Sequence, residues 1–209
     1  MNKKILIIAG IVIALILAFV GYRQFFGTPG QDPASVEQQT ITNEEFGLSF
    51  NYPAGEGGFA LVEPPATGNI KKAYILMPTS DYADFQSADE ATETPASISM
   101  LVFMLEDENE EEANQTGTST ERESRITRLQ NWAMDNNILT SFNTAKATPD
   151  IIEIDGVKAL HYQADGLYQQ DIYLASYRGR VYMFTAQYND VDDITITSFP
   201  SFIESISFD

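Results

Sequence analysis

DIIEIDGVKALHYQADGLYQQDIYLASYRGRVYMFTAQY, residues 150–188, alternates apolar and polar side chains between three dipeptides suited to chain reversal: Asp155-Gly156, Asp165-Gly166 and Arg178-Gly179. Two-residue loops ending in Gly favour the mirror-image turns whose twist matches that of paired strands, so the stretch predicts a four-stranded antiparallel meander. Such turns dictate register. Ile154 should face Val157, Ile152 should face Ala159, and Glu153 should face Lys158. Across the last turn Ala175 should face Tyr182, Tyr173 should face Phe184, and Leu174 should face Met183. The last two strands are apolar on both sides, so both faces of the sheet need a cover.

Upstream, SISMLVFML (residues 97–105) is apolar on both faces, as a central strand is. Phe46, Leu48, Phe50 and Tyr52 alternate with Gly47, Ser49 and Asn51, a half-buried strand that Pro53 should stop. Residues 58–62 and 70–77 offer two more strands. Two helices are available as covers. Thr120 and Glu123 have the spacing of a capping box, and Ile126, Leu129 and Ala133 form an apolar stripe with Trp132 at its border. Near the end, Ser198 can cap a short helix presenting Phe199, Phe202, Ile203 and Ile206. The expected class is α+β, an antiparallel β-sheet with helices packed on it.

A transmembrane helix should precede this domain. Residues 5–22, ILIIAGIVIALILAFVGY, carry no charge and as a helix would be about 27 Å long, close to the hydrocarbon thickness of a bilayer. Lys3 and Lys4 outweigh Arg23, which keeps the N-terminus cytoplasmic and sends the domain outside the cell membrane as a single-pass protein. A cleaved signal peptide would have a shorter apolar tract with small residues at −3 and −1. Here Ala18 would have Ile16 at −3 and Gly21 would have Phe19, so the anchor should remain attached. The expected organisation is an anchor over residues 1–26, a flexible linker over 27–40 (GTPGQDPASVEQQT) and one extracytoplasmic domain over 41–209.

Charge narrows the partners. Setting aside Lys3, Lys4 and Arg23 leaves 9 of the 12 Lys and Arg against all 30 Asp and Glu, a formal charge of −21. A field of that sign repels nucleic acid, whose phosphates need cations, and so excludes it as a partner. The chain contains no Cys, which removes disulfides, thiolate metal sites, Cys nucleophiles and the lipid-modified Cys of a lipoprotein.

Two stretches carry a family resemblance. FGLSFNYP (residues 46–53), opening a domain soon after an anchor, resembles the "gf-x-f-x-YP" start of PsbP-like domains. GRVYMFTAQYNDVDD followed by SFIESISFD resembles their final strand, C-terminal helix and terminal short strand. The likeness is to membrane-anchored bacterial PsbP-related proteins. It implies an αβα sandwich around an antiparallel sheet and a binding or accessory role rather than catalysis. One departure is that AGEGG follows the Tyr-Pro without the Trp such domains have there. No functional residue carries over, because the matching positions are core and turn residues.

The candidate sites are few. His161 is the single His, so any Ser-His-Asp triad would have to use it and no multi-His metal site can form. In the register above it faces Asp150 on one neighbour and Gln170 on the other, a structural cross-strand pairing. Asp190, Asp192 and Asp193, with Asn189, form a compact acidic cluster that either caps the last helix or binds Ca2+. EDENEEE (residues 106–112) reads as a solvated loop or as a site for a divalent cation or cationic partner, without the alternation of an EF-hand. Arg122, Arg125 and Arg128 flank the apolar stripe as a solvated helix face, and Asn114-Gln115-Thr116 matches a glycosylation sequon. There is no G-x-S-x-G elbow, S-x-x-K or phosphate loop. With no catalytic constellation and no cofactor motif, the expected role is a tethered non-catalytic binding module for a cationic or protein partner in the cell envelope. The alternatives are an envelope hydrolase using carboxylates or His161, and a purely structural envelope protein.

Overall fold

Two of the three chain reversals in residues 150–188 fold as their dipeptides dictate. Asp155 and Gly156 have φ of 47° and 75°, and Arg178 and Gly179 have φ of 46° and 67°, the paired left-handed residues of a mirror-image turn. The expected partners follow: Ile154 with Val157, Ile152 with Ala159, Glu153 with Lys158, and Ala175, Tyr173 and Leu174 with Tyr182, Phe184 and Met183. The middle reversal differs. Asp165 pairs with Gln169, so Gly166, Leu167 and Tyr168 form a three-residue loop in which the Gly166 N–H donates to the Tyr168 carbonyl at 3.0 Å. The pairing therefore shifts by three, and His161 faces Tyr173 rather than Gln170. Burial explains the outcome. A two-residue loop would set Leu160 beside Asp171, whereas the observed register sets Leu160 against Leu174 and Tyr162 against Ile172, apolar against apolar.

The computed structural model of the protein describes residues 36–87, 94–105 and 119–209. The strands are β1 (Glu37–Asn43), β2 (Leu48–Ala54), β3 (Phe59–Val62), β4 (Ile70–Pro78), β5 (Ile98–Met104), β6 (Asp150–Ile154), β7 (Val157–Asp165), β8 (Gln169–Tyr177), β9 (Arg180–Tyr188) and β10 (Ser207–Phe208). The helices are α1 (Thr79–Ser87), α2 (Ser119–Asp135), the single turn α3 (Asn137–Thr140) and α4 (Ile194–Glu204). The sheet runs β1-β2-β3-β4-β5-β9-β8-β7-β6, with β10 added on β2. It is mixed rather than wholly antiparallel, because β2 and β3 run parallel at Ala54 and Phe59. The short Gly-rich link between them turns the chain without pairing it back on itself. Among the described residues no helix is long and apolar enough to cross a membrane, and the anchor expected over 1–26 lies outside them.

Three boundaries move. The linker expected over 27–40 gives way at Glu37 to β1, a polar edge strand with no apolar alternation to betray it. Its hold on β2 is polar: the Tyr52 phenol donates to Gln39 Oε1 at 2.7 Å and the Thr40 hydroxyl to Asn51 Oδ1 at 2.7 Å. Pro53 does not stop β2: it faces Gln38, and the strand runs on to Ala54 beside Glu37. The last helix starts at Ile194 with Asp193 as its N-cap, not at Ser198, and Pro200 lies inside it.

Both faces are covered. On one, α4 lays Phe199, Phe202 and Ile203 on Phe50, Tyr74, Met100, Tyr182 and Phe184. On the other, α2 lays Ile126, Leu129 and Ala133 on Leu160, Ile172, Leu174 and Val181. Each large side chain so buried is worth about 1.5–3 kcal/mol in transfer free energy. The C-terminal residues close the edge of β2. Phe208 pairs with Leu48, and the Ser205 hydroxyl accepts the Asn51 N–H at 2.9 Å where neither β10 nor β3 reaches. Arg178 donates to the Asp209 carbonyl, and the Asp209 N–H donates to the Gly47 carbonyl at 3.1 Å.

Candidate functional site

His161 stands on β7, on the face that α4 covers farther along the sheet. The register brings Asp171 of β8 diagonally opposite, and the imidazole Nε2 lies 2.7 Å from its Oδ1. The carboxylate accepts, so Nε2 carries the proton. The ring stacks on Tyr173, with centroids 4.2 Å apart and 20° between planes. Tyr173 in turn meets the edge of Phe199 on α4, at 5.5 Å. Burial first, and the charge of Asp171 second, push the Tyr173 phenol up to about 12. Among the described residues Asp171 is the hydrogen-bond partner of the imidazole, and no hydroxyl completes a triad. The pair is half-buried, with side-chain exposures of 25% for His161 and 11% for Asp171.

The acidic cluster before α4 braces its own loop. Asp193 Oδ2 accepts the N–H groups of Asn189 at 2.6 Å and Asp190 at 3.1 Å, and the Asp193 carbonyl accepts the Thr197 hydroxyl at 2.9 Å. Asp190 Oδ1 lies 3.4 Å from the Asp192 N–H. The carboxylates of Asp190 and Asp193 are thus turned to backbone donors, and Asp192 contributes its N–H. Among the described residues no three His, Cys, Asp or Glu side chains gather closely enough to hold a metal ion. Asp193 also borders a hollow of about 290 Å³ beside Asp81, Tyr168 and the buried Thr195. The acidic run 106–112, the sequon at Asn114 and the side chain of Arg122 lie outside the described residues.

The geometry that the sequence does not announce is an open groove of about 480 Å³ between the C-terminal half of α2 and the ends of β4 and β5. Its apolar wall is Phe103, Met104 and Trp132; its polar rim is Asn69, Lys71, Asn131 and Asp135, joined by Arg128. Trp132 is held against Phe103 at 5.0 Å, and its carbonyl accepts the Asn136 side-chain amide at 2.9 Å. Two sequence signals point here: a Trp at the border of the α2 stripe, and the Lys71-Lys72 pair interrupting the alternation of β4.

Residues 36–209 have a PsbP-like fold, a mixed sheet covered by a few helices. In particular, the chain is similar to cyanobacterial PsbP (CyanoP) from Synechocystis sp. PCC 6803, known from a solution structure. The two share 13% sequence identity at a TM-score of 0.50, over 86% of this chain and 97% of that one. A protein from Bacteroides thetaiotaomicron VPI-5482 aligns with 84% of this chain and 49% of its own at 9% identity, with a TM-score of 0.39. No protein-family model matches the chain, and no curated protein does. At these identities the likeness speaks to fold.

Proposed function

We propose that this protein is a non-catalytic binding module, tethered to the outer side of the cell membrane, whose acidic domain meets a cationic protein partner in the envelope. The observation that carries the reading is the confinement of His161. The only imidazole in the chain meets Asp171 through Nε2 and stacks one ring face on Tyr173, and among the described residues no hydroxyl is hydrogen-bonded to the ring. The acidic surplus supplies attraction and rate of encounter for a positively charged surface. The fold, similar to that of a PsbP, fits an accessory role. Tethering rests on the uncharged residues 5–22 and the lysines before them.

A second reading has its own observation: a 2.7 Å Asp–His pair is two thirds of a hydrolytic triad. Full-length protein and its His161→Ala variant, compared across ester, amide and glycoside substrates, separate the two. The binding reading expects no turnover by either. Turnover by the natural protein that His161→Ala abolishes, with melting unchanged, would establish the hydrolase. Topology is tested by adding protease to intact spheroplasts, where the domain should be digested while the cytoplasmic end of the anchor survives. Protection of the domain contradicts the outward orientation.

A further inference from the structure

We propose that the groove over Trp132 is a binding site for a neutral saccharide, separate from the acidic surface and independent of the reading above. Strand β4 carries a defect at the groove. Ile70 pairs with Phe103 and Lys72 with Val102, so Lys71 is the extra residue of a β-bulge. Lys72 stands on the α4 side, over the Tyr74 ring at 4.7 Å and paired with Glu63 at 2.6 Å. Ile70 packs into the α2-side core, and Lys71 lines the groove on that same side. The bulge thus places two successive side chains on one face, one to seal the core and one to line the hollow. Bulges are used in this way beside functional sites, to re-aim a side chain.

The chemistry of the lining suits the same guest. Trp132, steadied by Phe103, offers a flat apolar surface with a negative face, against which the C–H face of a sugar ring packs. Around it, the carboxamides of Asn69 and Asn131 both donate and accept, Asp135 accepts, and Lys71 donates. Adjacent hydroxyls of a sugar also donate and accept, and that alternating set satisfies them. A wholly apolar guest would leave these groups without partners. The rim carries Lys71 and Arg128 beside Asp135, and a polyanion drawn to these cations would still meet the field of a chain of net charge −18. The volume of about 480 Å³ falls within the range of small-molecule sites, roughly 300–1,000 Å³.

Trp132 is the only Trp in the chain, so its emission reports the groove directly. Full-length protein in phospholipid nanodiscs is titrated with neutral oligosaccharides of glucose, mannose, galactose and N-acetylglucosamine, each to about 10 mM, beyond the millimolar affinities of weak sites. Glucuronate and inorganic phosphate serve as counter-probes. At least one neutral oligosaccharide should shift the emission saturably, and Lys71→Ala and Asn131→Ala should each weaken that binding tenfold or more while melting stays unchanged. Emission that stays flat with all the neutral sugars, a response confined to the anions, or a saccharide response that survives both substitutions would overturn the proposal. None of these results bears on capture of a cationic partner, which is read separately.

Discussion

Gly47 shows how much one residue can decide. Its φ of 55° is in the left-handed region, and a Cβ there would stand 2.7 Å from the Asp209 carbonyl oxygen, which also receives Arg178. Gly47→Ala should therefore cost about 1–3 kcal/mol through strain and loss of that clasp. Gly55 is the control, because its φ is 88° but nothing lies within 4 Å of its Cβ position. Thermal melts should place Gly47→Ala below Gly55→Ala; equal melting temperatures would show that the clasp contributes nothing. At this scale the sequence was readable in part. FGLSFNYP announced a strand and a Gly, yet the backbone that crowds Gly47 comes from the far end of the chain, beyond any local pattern. His161 was legible as a cross-strand residue and its Asp150 neighbour was right. Asp171 and Tyr173 become its partners because the intervening loop has one residue more than its dipeptide suggests.

Elements were legible where a local signal and burial agreed. Asp155-Gly156 and Arg178-Gly179 have both, and their hairpins match residue for residue. At Asp165-Gly166 the two conflict, and burial wins: a loop carrying Leu167 into solvent, 80% exposed, is the cost of setting Leu160 on Leu174. β1 was invisible because its bonds to β2 are polar, and α1 because no apolar stripe marks it. The groove needed tertiary structure, since its lining comes from α2, β5 and the start of β4. The packing of α4 on β8 carries a pH signature. Tyr173, edge-on to Phe199, keeps its proton to about 12, whereas in the unfolded chain it ionises near its ordinary value of 10.0. Between these values the folded state holds more protons than the unfolded one, so stability falls as pH rises from about 10. Tyr173→Phe should flatten that alkaline loss in denaturant midpoints taken from pH 9 to pH 12. An unchanged slope would mean that Tyr173 is not buried under α4 as described.

For the whole molecule, charge is the property that links fold to role. A sheet covered on both faces leaves its acidic residues mainly at edges, turns and loops, such as Glu44, Glu56, Asp150 and Asp165, all exposed. Solubility alone would account for such a surface, and recognition of a cationic partner would also use it. Salt separates these readings, because exposed charges are screened beyond about 8 Å at physiological ionic strength. Full-length protein, immobilised through its N-terminus in nanodiscs, is exposed to envelope extract over a salt series from about 20 mM to about 500 mM, and the retained proteins are quantified. A basic protein should be retained at low salt and lost by tenfold or more at high salt. Retention of nothing at any salt, or of the same proteins equally across the series, would contradict it.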